Sequence, residues 1–296
     1  MFYSPLRYPG GKGKLASFME YMINQLGHRG GTYIEPFAGG AGIAIELLQR
    51  NVVSKIVIND YDKGIWSFWK AILTETNRFV EAVRTVPLTI EEWTKQRDIC
   101  SNQNDKYSFE LGFATFYMNR TNRSGIIKGG IIGGQEQSGR WKMNARFNRE
   151  DLVKRILDIA ARKDDIKLYN KDIKSFITNY VPLYENNALI YFDPPYFEKG
   201  KQLYMNFFRL EDHKRIESTI RENVNCDWII TYDDAPEIES IYAAYSMSLY
   251  DLNYSVSKKC KASELMIFKD GIEIPSEESL QSQNIKINIR LYNPTT

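Results

Sequence analysis

Histidine is nearly absent from this chain: His28 and His213 are the only two in 296 residues. A His-based triad or a multi-His metal centre is therefore not expected. Cysteine is equally scarce. Cys100, Cys226 and Cys260 are odd in number, far apart and never spaced as a Cys-x-x-Cys pair. They support neither a disulfide framework nor a zinc site, and they set a reducing, cytoplasmic setting as the expectation. No apolar run approaches the roughly 20 residues of a membrane helix, and Met1-Phe2-Tyr3-Ser4-Pro5 lacks the layout of a secretory leader. No membrane partner is expected. An excess of one charge sign is also missing, since the net charge is only +2. Any catalysis must therefore rest on carboxylates, lysine, tyrosine or a bound cofactor.

What is present centres on Leu189-Ile190-Tyr191-Phe192-Asp193-Pro194-Pro195-Tyr196. The apolar run reads as a fully buried strand. Prolines cannot continue a central strand, so it stops at Asp193, and the two prolines stiffen the turn that follows. The carboxyl end of a buried parallel strand is where open α/β sheets place their chemistry. Asp193 and the Pro194 carbonyl offer acceptors, and Tyr196 offers a flat ring. That set suits a planar group bearing an NH2. The bland alternative is a strand followed by an ordinary Pro-Pro turn.

Upstream, Arg7-Tyr8-Pro9-Gly10-Gly11-Lys12-Gly13-Lys14 leads into apolar residues at helical spacing from Leu15 to Leu26. Such a turn could hold an anion at the helix start, or could be a flexible arm. It is not a nucleotide phosphate loop, because no strand precedes it and no Ser or Thr follows the lysine. Then Thr32-Tyr33-Ile34-Glu35-Pro36-Phe37-Ala38-Gly39-Gly40-Ala41-Gly42 reads as strand, glycine turn and helix. A second strand, Ile56-Val57-Ile58, ends at Asn59-Asp60. An acid about 20 residues beyond a glycine turn is placed to grip ribose hydroxyls. Asp60 is otherwise a helix N-cap. A third strand, Ile166 to Tyr169, is followed by Asp172, which meets the base of a nucleoside or caps the next helix.

Charge is uneven along the chain. From Arg120 to Arg149 there are seven basic residues and one acid, Glu136. This glycine-studded stretch, with Trp141 and Phe147 among its cations, is expected to form hairpins or a mobile loop and to bury no core. Its Asn, Arg and Gln side chains can read base edges, while Lys and Arg neutralise phosphates. The candidate DNA contacts are Asn119, Arg120, Asn122, Arg123, Lys128, Arg140, Lys142 and Arg146. A solvated surface loop is the alternative. Trp66, Trp69 and Trp93 read as packing. Asn148 reads as an N-cap, and helices are expected around 91–100, 109–118, 152–160, 210–220 and 238–245. Closing strands are expected at 228–232, 249–256 and 265–268, and the polar tail 275–296 offers one more edge strand.

Four blocks in this order resemble the Dam-type (D12 class) adenine-N6 DNA methyltransferases: Tyr8 to Lys12, Glu35 to Gly42, Asn59-Asp60 and Asp193 to Tyr196. The resemblance implies an α/β fold, a Rossmann-like seven-stranded sheet using S-adenosylmethionine, with an inserted target-recognition element. By matching position, Tyr8, Lys12, Asp60 and Asp193 would line the cofactor pocket, and Glu35, Phe37, Gly39 and Asp172 are further candidates for it. Asp193, Pro194 and Tyr196 would grip a flipped adenine of double-stranded DNA. The catalytic domain is expected to span 1–76 and 149–274, with the insert at 77–148. No metal is required, and a cognate restriction endonuclease is an expected partner of such an enzyme. The double-glycine insert departs from the GATC-reading members, so that target is not implied. Cytosine-N4 methylation and a non-catalytic nucleic-acid module that has kept a cofactor fold are the rivals.

Overall fold

The computed structural model describes residues 3–7, 15–102, 106–197, 208–253 and 261–292. Eight strands form one sheet: β1 (Thr32–Glu35), β2 (Lys55–Asn59), β3 (Ile166–Tyr169), β4 (Ala188–Phe192), β5 (Asp227–Asp233), β6 (Ser246–Asn253), β7 (Lys261–Phe268) and β8 (Ile289–Leu291). Their spatial order is β3-β2-β1-β4-β5-β7-β6-β8. The first five strands run parallel, and β7 enters antiparallel beside β5. β6 and β8 continue antiparallel beyond it. The edge strand anticipated in the tail is β8, so the sheet has one strand more than the family resemblance implied.

Side-chain alternation explains how the sheet is covered on both faces. Every residue of β4 is buried. Leu189 and Tyr191 point into one apolar cluster, while Ala188, Ile190 and Phe192 point into the other. That two-residue period is the pleat at work, and burial on both sides is why the strand reads as a continuous apolar run. The first cluster holds α1 (Leu15–Gln25), α2 (Gly42–Gln49) and α7 (Arg149–Ala160); the second holds α8 (Ile173–Asn179), α9 (Leu210–Asn223) and α10 (Pro236–Ile241). The last of these differs from the helix expected over 238–245: it starts at Pro236 and gives way to a turn after Ile241, before β6 begins at Ser246. A final short helix, α11 (Glu277–Ser282), precedes β8.

Between β2 and β3 four helices pack together: α3 (Lys63–Thr74), α4 (Thr76–Thr85), α5 (Ile90–Ser101) and α6 (Phe109–Thr121). Every residue of α6 except Glu110 is buried, so it is the central post of this region. It approaches α3 closely at Gly112, where a Cβ would lie 2.5 Å from the Ser67 carbonyl oxygen. Phe68 and Phe116 stack across the same contact, and Phe79 packs edge-on to both. These helices share the first apolar cluster with the sheet.

The expectation of coreless hairpins or a mobile loop after α6 is corrected. Between 122 and 148 the chain makes short turns and a single bridge, Asn122 to Ile131. Ile131, Met143 and Phe147 are buried in the first cluster. Three large apolar side chains spaced among glycines suffice to anchor an irregular segment. Removing 126–139 would therefore take out Ile131 and the carbonyls that Asn122 binds.

Candidate active site

At the carboxyl ends of the parallel strands the chain turns one way from β1 to β2, while β4 lies on the other side of β1. This is the switch point at which open α/β sheets bind ligands. Three carboxylates stand there on three adjacent strands: Asp60 after β2, Glu35 ending β1 and Asp193 after β4.

The glycine turn is held from several sides. The Gly39 amide donates to Asp60 Oδ2 at 2.8 Å, and Trp69 Nε1 donates to the Gly39 carbonyl at 2.9 Å. Ser4 Oγ donates to the Gly40 carbonyl at 2.5 Å. Gly39 has φ 47° and Ala41 φ 43°; the latter is left-handed backbone that an alanine adopts only under constraint. Glu35 Oε1 accepts the Ala44 amide at 3.0 Å, pinning the start of α2 to β1. Asn59 joins three strand ends, donating to the Pro36 and Lys171 carbonyls and accepting the Lys171 amide. Trp69 was read as packing; it also supports the turn.

Asp60 is not the helix cap. Asp62 takes that place on α3, accepting the Ile65 amide at 2.9 Å. Asp60 Oδ1 accepts the Asp62 amide at 2.9 Å, while Oδ2 takes Gly39. Burial, with the Asp62 charge adding to it, pushes the Asp60 carboxyl up to about 7. Asp172 is exposed and caps α8 through the Ser175 amide at 2.9 Å, so the cap alternative describes it. It also borders a cleft of about 220 Å³ with Ile173, Phe208 and Arg215. Phe37 packs edge-on to Phe208 at 6.2 Å. Tyr8 and Lys12 lie outside the described residues.

After β4 the chain is tied to β5 and β7. Tyr191 and Thr231 hydroxyls meet at 2.7 Å, and Thr231 Oγ1 makes a long 3.5 Å contact with Asp193 Oδ1. The Tyr196 hydroxyl donates to Glu264 Oε1 at 2.6 Å, and the Phe197 amide donates to Asp233 Oδ1 at 2.8 Å. Sequence reading missed Thr231, Asp233 and Glu264. They sit in strands that carried no motif, and only the Thr231–Asp233 end of β5 had a positional clue. His213 is buried among Phe197, Phe208 and Tyr232, and desolvation lowers it to about 4, leaving it neutral.

The structure divides the eight candidate DNA residues. Asn119, Arg120 and Asn122 are buried, so the expectation that they meet DNA is corrected. Asn119 exchanges hydrogen bonds with the Arg7 backbone and donates to the Gly125 carbonyl. Arg120 donates to the Arg146 and Pro5 carbonyls; burial and neighbouring Arg7 bring its guanidinium down to about 9. Asn122 accepts Trp93 Nε1 and donates to the Ile126 and Ile127 carbonyls. Buried amides with every partner supplied are structural cross-ties. They lash residues 4–7, which lead to the Tyr8 block, against the insert. Gly125, at φ 78°, permits this: a Cβ there would meet the Arg7 carbonyl oxygen at 2.6 Å. Arg123, Lys128, Arg140, Lys142 and Arg146 are exposed. The Arg140 guanidinium lies over the Trp141 ring at 5.4 Å, and Trp141 is 64% exposed.

Five parallel strands, a reversed strand inserted beside β5, and an acid-and-glycine site at the switch point define a Rossmann-like methyltransferase fold. The chain belongs to the D12 class N6 adenine-specific DNA methyltransferases, a family it matches over residues 8–256. It is thus an adenine-specific DNA methyltransferase. It is similar to the Type II methyltransferase M.MjaIII of Methanocaldococcus jannaschii, with 24% identity over 204 residues, 64% of this chain and 68% of that protein. Among solved structures it is similar to the rRNA methyltransferase AviRa of Streptomyces viridochromogenes, at 12% identity and TM-score 0.37 over 88% of this chain and 86% of the other. Protein LPL1258 of Legionella pneumophila gives 10% identity and TM-score 0.36 over 97% and 98%. Likeness at that level adds nothing to the assignment, which rests on topology and family. Among the described residues, no helix is long and apolar enough to cross a membrane, and no cluster of acidic, His and Cys side chains could hold a metal ion.

Proposed function

We propose that the protein transfers the methyl group of S-adenosylmethionine to the N6 amine of an adenine flipped out of double-stranded DNA. The observation that carries this reading is the row of three carboxylates, Asp60, Glu35 and Asp193, on adjacent strand ends around the glycine turn. An acidic cradle suits a ligand bearing sulfonium and ammonium charges. The Asp60 oxygens, each holding one backbone amide, keep acceptor capacity for ribose hydroxyls. Tyr8 and Lys12 complete the pocket by family position, with Phe37 and Gly39 beside it.

When bound, the cofactor supplies an electrophilic methyl. The protein supplies placement. An exocyclic adenine amine is a poor nucleophile because its lone pair is delocalised into the ring. Asp193 and the Pro194 carbonyl accept its two hydrogens, which draws the lone pair out of the ring and aims it at the methyl. Tyr196 stacks on the extruded base. The exposed cations Arg123, Lys128, Arg140, Lys142 and Arg146, with Trp141, form the DNA-facing part of the 77–148 insert, contacting phosphate and base edges. The free thiols Cys100 and Cys226 fit a cytoplasmic setting.

Kinship with a Type II methyltransferase makes a restriction endonuclease of the same target the proposed cellular partner. The test is expression in a methylation-deficient host followed by modified-base sequencing. N6-methyladenine at one recurring sequence is expected, and that DNA should resist the matching endonuclease. N4-methylcytosine instead would overturn the base assignment. Cofactor binding without any methylated base would favour a non-catalytic binding module.

A further inference from the structure

Glu264 is fully buried in the first half of β7. In the ladders it stands opposite Asp233 of β5 and Tyr250 of β6. One carboxylate oxygen accepts the Tyr196 hydroxyl at 2.6 Å and the other accepts the Tyr250 hydroxyl. Asp233, its cross-strand neighbour, accepts the amide of the very next residue, Phe197, at 2.8 Å. Two paired carboxylates thus hold the end of the Asp193–Tyr196 turn by a side chain and by the backbone.

Burying a carboxylate opposes folding, and an apolar residue of similar size would fill the same space at less cost. What an apolar residue could not do is hold a phenol at its far end. Tyr196 is buried, and packing restrains its ring, but a tyrosine held at its Cβ and by packing alone can still shift about χ1 and χ2. Tied at Cβ and hydroxyl, its long axis is fixed, and because the phenol O–H prefers to lie in the ring plane, the bond to Glu264 Oε1 also favours one rotation about that axis. The Pro194 carbonyl and Asp193 lie two and three residues upstream in a proline-stiffened backbone. Ring axis and acceptors therefore keep one geometry.

We propose that Glu264 is a positioning residue for methyl transfer, holding the Tyr196 ring in the place where the target adenine stacks. The proposal rests on Tyr196 being the base platform. Preorganisation of this kind acts on the chemical step, because a small misplacement of reacting atoms lowers turnover strongly.

The experiment measures kcat, KM for DNA, S-adenosylmethionine affinity and the fluorescence of 2-aminopurine placed at the target adenine. The duplex carries the site read by modified-base sequencing. Tyr196→Phe and Glu264→Leu should each lower kcat about tenfold and alter the 2-aminopurine signal, with cofactor affinity within about twofold of wild type. The two changes together should lose no more kcat than Glu264→Leu alone, because both cut the tie to Tyr196. Glu264→Gln, which keeps an acceptor for the Tyr196 hydroxyl, should restore most of the activity. A general structural role would not produce that rescue or the kcat-only loss. Independent, multiplying losses, or a Glu264→Leu protein with wild-type kcat, would overturn the proposal.

If Glu264→Leu fails to fold, Tyr196→Phe/Tyr250→Phe/Glu264→Leu replaces it, since donors and acceptor are then removed together. That variant should fold and show the Tyr196→Phe loss; wild-type kcat in it would sink the idea. Tyr196→Ala separates the two readings. Wild-type turnover in Tyr196→Ala overturns the base platform and the proposal with it. Lost turnover there, beside wild-type turnover in the Glu264 variants, overturns only the positioning role.

Discussion

The Gly39 amide donates to the Asp60 carboxylate at 2.8 Å, so the turn after β1 and the acid after β2 are one unit. Asp62, not Asp60, claims the cap of α3, which suits the ribose role proposed for Asp60.

Its raised pKa, about 7, makes cofactor binding pH-dependent. Ribose hydroxyls donate to the ionised form, so binding expels a proton below pH 7. Affinity for S-adenosylmethionine should rise as pH increases from 5 to 7, approaching tenfold per unit, and level off above. Folding runs the other way. The folded state holds this proton between about pH 4 and 7 and the unfolded chain does not, so this group's contribution to apo stability falls as pH rises through that window. Calorimetry across pH checks both, and Asp60→Asn should flatten the affinity slope while weakening binding by about 1.5–3 kcal/mol.

Asp193→Ala should fold yet methylate 10²–10³-fold more slowly, about 2.7–4 kcal/mol of barrier, as expected for a lost preorganised acceptor. Single-turnover methylation measures it. Turnover within about threefold of wild type would remove Asp193 from the mechanism.

Exposed cations of the insert should act on DNA alone. Lys142→Ala or Arg146→Ala should weaken binding to all duplexes alike and lower the salt slope by about one unit if the side chain meets phosphate. Arg123→Ala should cost about 1–3 kcal/mol on the cognate site only, if it reads a base edge. Titrations with cognate and scrambled duplexes over a salt series distinguish the two, and cofactor affinity without DNA should not change.

Asn122→Ala should behave differently from those variants. It orphans Trp93 Nε1 and two carbonyls in the interior, so it should cost about 1–3 kcal/mol of stability while leaving the salt slope of DNA binding intact. Denaturant melts and the same salt series check this. An unchanged melt with lost DNA affinity would return Asn122 to the DNA surface.

Gly112→Ala should be among the most destabilising single-methyl changes, because the added Cβ meets Ser67 backbone at 2.5 Å and α6 cannot retreat from α3 without opening the Phe68–Phe116 stack. Overpacking of this sort costs about 1–3 kcal/mol, read from a denaturant melt.

Local chemistry is what the sequence determined by itself. An apolar run broken by Pro194 and Pro195 can only be a buried strand with a stiff exit, and a glycine turn followed by an acid at the next strand end has one common use. Asp193 and Asp60 stand out as candidates for that reason, and the parallel strands and the cap at Asn148 were legible, while at Asp172 the cap and the nucleoside reading stood side by side and the structure shows the cap. Tertiary structure decided everything that depends on partners distant in the chain. Asn119, Arg120 and Asn122 look like surface polar residues in a basic segment. Residues more than 110 positions away, Pro5 and Arg7, cover two of them, and Trp93 binds the third. Ile131 looks like an isolated apolar residue among glycines and is core. Glu264 carries no motif at all. It reaches Tyr196 because β7 runs antiparallel beside β5, which brings the early residues of one strand level with the final residues of the other. Strand direction and neighbour order arise from the packing of the whole sheet, so no window of sequence around residue 264 contains them.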